Sequence, residues 1–313
     1  MSNYKFLNFR KVEIIILSII LIIAFVVRLY KINRPIADWH SWRQADTASV
    51  ARNFIKEDFN PFIPKYDDMS TQANGLDNPQ RYRFVEFPIF NMLIAGVWSQ
   101  TGINETYARS VTVVISLMST LLLFFLVKHY SDTTTALLAA FFFAFLPYNI
   151  FYSSAILPGP LMVLGILGLY LTFSKWMENE KRWPWLVFSI LFTNLAILSW
   201  PIAIFFLLPV IYLTYIKYGL FPFKKIRLWI FALLSLAPFI AWRMWMTQFP
   251  EGIPNWQFLL NENNIRFKGA FFRWLIAERM GKLILTVPGF FLFVLGILKK
   301  PEMREKLFYL SWL

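Results

Sequence analysis

Three carboxylates in the hydrophilic stretch after the first apolar segment have the chemistry of proton acceptors. Asp38 and Asp46 lie in a tryptophan-rich sequence, and Glu86 follows further along the chain. A carboxylate within hydrogen-bond reach of a hydroxyl group can accept its proton and so act as a general base. We therefore predict Asp46, Asp38 and Glu86 as catalytic candidates, and we prefer Asp46 because it shares a predicted helix face with Arg43.

Each carboxylate also has a structural interpretation. Asp38 precedes a predicted helix and can serve as a turn or capping residue. Asp46 can pair with Arg43 three residues earlier, a contact worth about 0.2–0.5 kcal/mol. Glu86 stands at the start of a second predicted helix, where a negative charge is favourable in itself. The sequence leaves both interpretations open.

Basic and polar side chains supply candidate ligands for an anionic substrate, because guanidinium groups bind phosphate oxygens through paired hydrogen bonds. The predicted substrate-binding residues are His40, Arg43, Gln44, Arg109, Arg243, Arg266, Lys268 and Arg273, with Arg279 and Lys282 as further phosphate candidates. Aromatic residues such as Phe271 and Trp274 interleave with the later members, which suits an apolar ligand that enters from the membrane. The alternative is an interfacial helix whose charged side chains extend to lipid headgroups.

Metal chemistry is not predicted. His40 can act as a second base or, together with Asp38, as a metal ligand, but a lone histidine in an aromatic-flanked turn is more often structural. No spacing in the sequence builds a metal site. The prediction is therefore no cofactor, with a divalent cation compatible with the sequence but not indicated by it.

The elements that must position these residues are membrane helices. Hydrophobic residues make up 58% of the 313 residues and charged residues only 16%, whereas soluble proteins average about 45–50% and about 25%. The excess forms continuous blocks long enough to cross a hydrocarbon core of about 30 Å, without the alternation of a barrel strand. The net charge of +13 then indicates anionic lipids and loop topology rather than nucleic acid.

The predicted spans divide the chain into a membrane module over 1–247 and a second part over 248–313. Spans are predicted at about 13–30, 106–128, 133–152, 156–174, 184–200, 201–217, 228–247 and 283–299, with the start of another at 307. Short loops on one side carry basic residues such as Lys128 and Lys217, so the positive-inside rule places the N-terminus in the cytoplasm.

Two long segments, 31–105 and 248–282, then lie outside the membrane and contain surface helices. Ser41 and Gln44 have the spacing of a capping box, which predicts a helix over about 41–56. Pro88 is a favoured first-turn residue and predicts a second helix over about 88–100. The fold class is therefore all-α and polytopic, with two long outer loops that contain surface helices.

At this point the sequence resembles the GT-C membrane glycosyltransferases, in particular the protein O-mannosyltransferase and aminoarabinose-transferase group and its family 39-like bacterial branch. The residues that carry the resemblance are Asp38-Trp-His-Ser-Trp-Arg-Gln-Ala-Asp-Thr-Ala48, Ala51-Arg-Asn-Phe54, Glu86-Phe-Pro88, Gly102 with Ala108-Arg109, and Leu157-Pro158. The sequence departs from relatives at Arg43-Gln44, where they have Asp-Glu, at Glu86, where they often have His or Lys, and at Gly159, where many have an acidic residue.

The resemblance implies that a sugar on a polyprenyl phosphate is transferred, with inversion, to a hydroxyl of a protein, lipid or glycan on the outer face. An acidic residue of the first outer loop would be the base, and basic residues would bind the lipid phosphate. The predicted location is a cell membrane, such as the bacterial inner membrane. We also expect the chain to be a C-terminally truncated piece, since 307–313 resembles the first third of a span.

Two other functions remain as alternatives. One is a transporter or lipid flippase, which would place charged or broken-helix sites near the middle of the membrane; the predicted spans have almost no ionisable residue there. The other is a catalytically degenerate relative of the transferases, which the departures at Arg43-Gln44 and Gly159 allow.

Overall fold

The computed structural model describes residues 11–70, 74–220, 225–254 and 262–298, and this part of the chain is almost entirely helical. The α-helices are α1 Lys11–Leu29, α2 Ser41–Lys56, α3 Ile89–Thr101, α4 Glu105–Tyr130, α5 Thr133–Phe145, α6 Pro147–Tyr152, α7 Gly159–Glu178, α8 Trp183–Ser199, α9 Leu208–Tyr218, α10 Ile226–Met246, α11 Gly269–Arg273 and α12 Thr286–Leu298. Among these residues the only β pairing is an isolated bridge between Lys65 and Tyr82. The predicted all-α fold is confirmed.

The bundle is organised around α7, which is the most buried of the long apolar helices. It packs against α4, α8 and α9, while α5 joins α4 to α1 and α10 packs on α8. Within the described part of the chain, five helical segments are long and apolar enough to cross a membrane, and a bent pair near the C-terminal end raises the number to six. The start of a span predicted at 307 lies outside the described residues.

The two predicted surface helices are present. The helix predicted over 41–56 is α2, and the helix predicted over 88–100 is α3, which begins one residue later because Pro88 is its N-cap. The two helices pack on each other, and α3 also contacts α4 and α8. Their buried side chains, among them Phe54, Phe90 and Trp98, hold the first outer loop against the bundle.

The stretch 133–152, predicted as one span, is instead two helices that break at Pro147. Proline has no backbone N–H, so the carbonyl four residues earlier loses its helical partner. That carbonyl belongs to Phe143, and the side-chain amide of Asn149 donates to it. A side chain thus replaces the hydrogen bond that the proline cannot make.

Asn194 in α8 has the same role towards α10. Pro238 lies inside α10 and leaves the carbonyl of Leu234 without its helical donor. The amide of Asn194 donates to this carbonyl at 3.0 Å. A backbone carbonyl that loses its helical donor within a membrane must find another partner inside the protein. Asn194 therefore occurs in the apolar helix α8 because it supplies the donor that Pro238 of α10 lacks.

Close packing of α7 on α8 depends on glycine. A Cβ atom added at Gly165 would lie 2.7 Å from the backbone nitrogen of Ala196. Small residues allow membrane helices to approach closely, and overpacking such a contact costs about 1–3 kcal/mol. We expect Gly165→Ala to lower the thermal unfolding midpoint of the protein in detergent. In Gly96→Ala, where an added Cβ meets nothing within 4 Å, the midpoint should not fall; equal midpoints for the two variants would contradict this packing.

The described part of the second outer loop is amphipathic. After α11, a π-helical segment Trp274–Ile284 leads to α12, and the axis bends by 115° at the junction. Trp274 and Ile276 are exposed on this segment, together with the charged pair Glu278 and Lys282. This pattern is typical of a helix that lies in a membrane interface before the chain turns into it.

Candidate active site

Asp38 is the centre of a polar network at the start of α2. Its carboxylate accepts hydrogen bonds from Arg34 Nε at 2.6 Å and from Gln44 Nε2 at 2.5 Å. The side-chain oxygen of Gln44 in turn accepts from Arg109 Nη1 at 3.2 Å and from the backbone N–H of Ile156 at 3.1 Å. Both oxygens of Asp38 are therefore engaged by side chains that hold the loop in place.

The capping box predicted from Ser41 and Gln44 is absent. The N-cap of α2 is His40, which has φ 59° and makes no capping hydrogen bond through its side chain. Gln44 is drawn to Asp38 and Arg109 instead, as described above. His40 stacks on Trp39 with ring centroids 5.7 Å apart, so its surroundings are aromatic rather than those of a metal ligand.

Arg109, predicted as a phosphate ligand, is fully buried. Its guanidinium donates to the carbonyl oxygen of Ser154 at 2.8 Å and to that of Pro35 at 3.4 Å, and it lies 3.6 Å from the carboxylate of Asp38. These contacts join the first outer loop to the segment that precedes α7. The geometry gives Arg109 a positioning role, because a fully buried guanidinium presents no surface to a phosphate.

This assignment predicts that Arg109→Lys destabilises the protein. A lysine cannot make the forked set of bonds, and losing one hydrogen bond of a charged group costs about 1.5–3 kcal/mol. The thermal unfolding midpoint in detergent should fall well below that of Arg243→Lys, since Arg243 makes no hydrogen bond or ion pair within the described parts of the chain. An unchanged midpoint combined with a weaker affinity for the lipid donor would favour the phosphate role.

A second cluster, separate from the first, lines a cleft between α2 and the segment before α3. Arg43 Nη2 donates to both carboxylate oxygens of Glu86 at 2.5 and 2.7 Å, and Arg83 Nη2 lies 3.0 Å from Asp46 Oδ2. The cleft is narrow, with a cavity volume of about 10 Å³, and Pro88 and Asn91 of the α3 entry complete its wall. Two carboxylates and two guanidinium groups therefore face one small opening.

The environment of Asp46 raises the pKa of its carboxyl group above the ordinary aspartate value. Burial is the main cause, while the positive charges of Arg83 and Arg43 act in the opposite direction and lower the pKa. The predicted structural pairing of Asp46 with Arg43 is not formed, because Arg43 binds Glu86 instead. The pKa of Asp46 is therefore set by burial, which raises it, against two neighbouring cations, which lower it.

Arg83 was missed by the sequence analysis. It is largely buried, its guanidinium lies 5.2 Å from the ring centroid of Tyr66, and burial lowers its pKa. It sits just after the stretch 60–82, which contains many prolines, asparagines and aspartates and has no helical periodicity. No local pattern in the sequence marks Arg83, because Arg81 before it has φ 63° and interrupts any regular extended segment.

The three predicted catalytic carboxylates, Asp38, Asp46 and Glu86, and the predicted phosphate ligand Arg109 do not share one cavity. Asp46 and Glu86 face the cleft together with Arg43, whereas Asp38 and Arg109 belong to the buried network on another side of α2. No group of three metal-ligating side chains occurs within the described ranges. Of the predicted catalytic residues, Asp46 and Glu86 are thus the two that the structure brings to one opening.

The predicted phosphate ligands of the second outer loop are mostly exposed. Arg266, Lys268 and Arg273 lie on the outside of the loop, and Arg243 is half-buried in α10. Arg279 differs from them, because its guanidinium lies over two indole rings, 5.7 Å from the ring centroid of Trp39 and 4.6 Å from that of Trp274. It links the second outer loop to the residue next to Asp38.

Two solved structures of membrane enzymes share the fold of this chain. ArnT from Cupriavidus metallidurans in the apo state matches with a TM-score of 0.60 at 15% identity, over 96% of this chain and 52% of that chain. The archaeal oligosaccharyltransferase AglB from Archaeoglobus fulgidus, in complex with an inhibitory peptide and a dolichol-phosphate, matches with a TM-score of 0.53 at 14% identity, over 96% of this chain and 39% of that chain. The chain therefore spans about half the length of ArnT and less of AglB. No curated protein sequence matches it.

The fold is that of the GT-C membrane glycosyltransferases. A family model described as dolichyl-phosphate-mannose-protein mannosyltransferase matches residues 84–245, just over half of the chain. The chain belongs to this family, and the resemblance inferred from the sequence is confirmed. The apolar helices and the family together make it a multi-pass membrane protein. The matched range contains Glu86 and Arg109 and begins after Asp46.

Proposed function

We propose that the chain transfers a sugar from a polyprenyl-phosphate donor to a hydroxyl acceptor, with Asp46 as the general base. The observation that carries the proposal is the cleft of a GT-C family chain in which a partly buried carboxylate of raised pKa faces two guanidinium groups. The first outer loop that holds it is proposed to lie on the outer face of the membrane, such as the bacterial inner membrane, with the N-terminus in the cytoplasm.

The proposed reaction is a single displacement that inverts the sugar. The acceptor oxygen forms a bond to the anomeric carbon while the bond from that carbon to the phosphate oxygen breaks. The electron pair of the broken bond leaves with the polyprenyl phosphate, and the hydroxyl proton passes to Asp46. A positioned base of this kind contributes about 10²–10⁴-fold to a rate.

Glu86 and Arg43 have supporting roles in this proposal. Arg43 Nη2 donates to both oxygens of Glu86, so this carboxylate is held against Arg43 rather than open to the acceptor. The same pair narrows the cleft, and substrate entry would have to widen it. Arg83 contributes by keeping Asp46 ionised over a wider pH range than burial alone would allow.

The donor phosphate is proposed to bind at Arg279. Within the described residues this guanidinium makes no hydrogen bond or ion pair, while two tryptophan faces hold its plane. Stacking leaves the in-plane N–H groups of an arginine available for phosphate oxygens. Arg279 lies in an amphipathic segment, a pattern typical of helices at the level of lipid headgroups, where a membrane-anchored donor would present its phosphate.

The proposal is tested by assaying the purified chain in lipid vesicles with radiolabelled polyprenyl-phosphate sugars and a cell-envelope fraction as acceptor. Transfer of label to a product that organic solvent no longer extracts is the expected result. Movement of labelled donor across the vesicle membrane without any such product would support a flippase and contradict the transferase. Absence of both activities, in a protein that binds the donor, would indicate a degenerate relative.

The contact between Arg83 and Asp46 predicts how the acid limb of the pH profile of kcat/KM responds to a substitution of Arg83. Asp46 must be ionised to act as a base, so the rate should rise with pH through the pKa of this group. Because Arg83 lowers that pKa, Arg83→Gln should move the acid limb of kcat/KM to higher pH. Arg52→Gln is the control, because Arg52 lies in α2 like Asp46 but pairs with Asp67. In this variant the acid limb should stay in place. An unmoved limb in Arg83→Gln would argue against Asp46 as the base.

A further inference from the structure

A second cavity opens on the first outer loop beyond the cleft of Asp46. Its cavity volume is about 220 Å³, and its lining includes Phe54, Glu57, Asp58, Asn60 and Lys65. The proposed transfer uses none of these residues. The cavity is much larger than the cleft, whose volume is about 10 Å³, so it can hold a ligand group larger than the reacting hydroxyl.

The two cavities follow one face of α2. The cleft is lined by Arg43, Asp46, Thr47 and Val50 of α2, and the second cavity by Asn53 and Phe54 of α2 and by Glu57, the C-cap residue after the helix. Steps of three and four residues keep side chains on one helix face. At a rise of about 1.5 Å per residue, Asp46 and Phe54 are about 12 Å apart along the axis. Pro64 borders the cleft, and its neighbour Lys65 borders the second cavity.

The second cavity has the side chains that bind hydroxyl groups. Glu57 accepts a hydrogen bond from Arg81 at 2.5 Å, which lowers the pKa of Glu57 and keeps it ionised. Asp58 makes no hydrogen bond or ion pair within the described residues, so both of its oxygens can accept. Asn60 and Lys65 add donors, while Phe54, which also belongs to the lining, is itself buried. Neighbouring acceptors and donors suit the hydroxyl groups of a sugar.

The charge balance favours a neutral ligand over a cationic one. Glu57 is already paired with Arg81 and lies 3.7 Å from Lys65. Asp58 then remains as the one unpaired carboxylate among the described lining residues, and a basic peptide would in addition have to approach the charges of Lys65 and Arg81. A neutral saccharide meets no such repulsion.

We infer that the second cavity binds a saccharide unit of the acceptor, so that the acceptor is a glycan with at least one sugar beyond the unit that is modified. This inference rests on the proposed function, because it places the reacting hydroxyl at Asp46. It assigns to α2 both the base and the acceptor subsite, with the glycan lying along the helix.

The test is saturation-transfer NMR of the full chain in nanodiscs with free di- and trisaccharides of hexoses and N-acetylhexosamines. At least one saccharide should bind, and Asp58→Ala with Asn60→Ala should weaken that binding at least tenfold. Lys56→Ala is the matched control, since this exposed neighbour does not line the cavity, and its binding should equal that of the wild type. In transfer assays, the double variant should raise the acceptor KM and leave the donor KM unchanged.

The outcomes separate this inference from the proposed function. Binding of a lysine-rich peptide instead of any saccharide, or equal saccharide binding by the double variant, would overturn the glycan subsite even if Asp46→Asn abolishes transfer. Saccharide binding that the double variant loses, in a protein without transferase activity, would keep the subsite and remove the proposed reaction.

Discussion

Asp46→Asn is expected to reduce kcat for sugar transfer by about 10²–10⁴-fold, the contribution of a positioned general base. The amide has nearly the shape of the carboxylate and can still accept a hydrogen bond from Arg83, so the cleft should keep its form. It cannot take up the hydroxyl proton. The donor KM should therefore change little, and the loss should appear in kcat when initial rates are measured at saturating donor.

Three further variants make this expectation specific to Asp46. Glu105→Gln removes an exposed carboxylate at the start of α4 and should keep the wild-type rate. Glu86→Gln breaks the bidentate pair with Arg43 and should alter KM more than kcat. Asp38→Asn disturbs the network of Arg34 and Gln44 and should lower the unfolding midpoint. A loss of kcat in Glu86→Gln that equals the loss in Asp46→Asn would mean that the two carboxylates act together.

The helices could be predicted closely because their signals are local. The start of α2 was predicted from the spacing of Ser41 and Gln44, although the capping box is not formed, and the start of α3 from Pro88; α1 and α4 were predicted from the length of apolar runs. Hydropathy did not reveal the break at Pro147, because it depends on side chains and does not change where the helical hydrogen bonds of the backbone are interrupted. The role of Asn149 becomes clear only in the structure, where its amide donates a hydrogen bond to the carbonyl of Phe143.

The candidate site was predictable in its residue types but not in its pairings. Ser41 and Gln44 satisfy a local capping rule, yet Gln44 binds Arg109 and Ile156, which lie 65 and 112 residues away. Several long-range bonds to a buried amide outweigh one local bond at an exposed helix end. Arg43 likewise donates its hydrogen bonds to Glu86, 43 residues away, and not to the nearby Asp46. Spacing within a helix cannot anticipate such competition.

Arg279→Gln is expected to weaken donor binding by about 10–150-fold, the equivalent of the about 1.5–3 kcal/mol that a hydrogen bond to a charged group contributes. Glutamine removes the positive charge and the stacking between Trp39 and Trp274. The loss should appear as a higher donor KM with kcat little changed at saturation. It should also appear in direct binding of sugar-free polyprenyl phosphate to the purified protein, since that lipid carries the same phosphate.

Two matched variants distinguish a phosphate ligand from a general attraction to lipids. Arg273→Gln removes an equal charge from an exposed position of the same amphipathic stretch and should leave the donor KM unchanged, because no ring orients that side chain among the described residues. Arg279→Lys keeps the charge but loses the planar fork, so its donor KM should lie between those of the wild type and Arg279→Gln. If Arg273→Gln and Arg279→Gln weaken donor binding equally, the two arginines serve the membrane surface, and the phosphate must bind elsewhere.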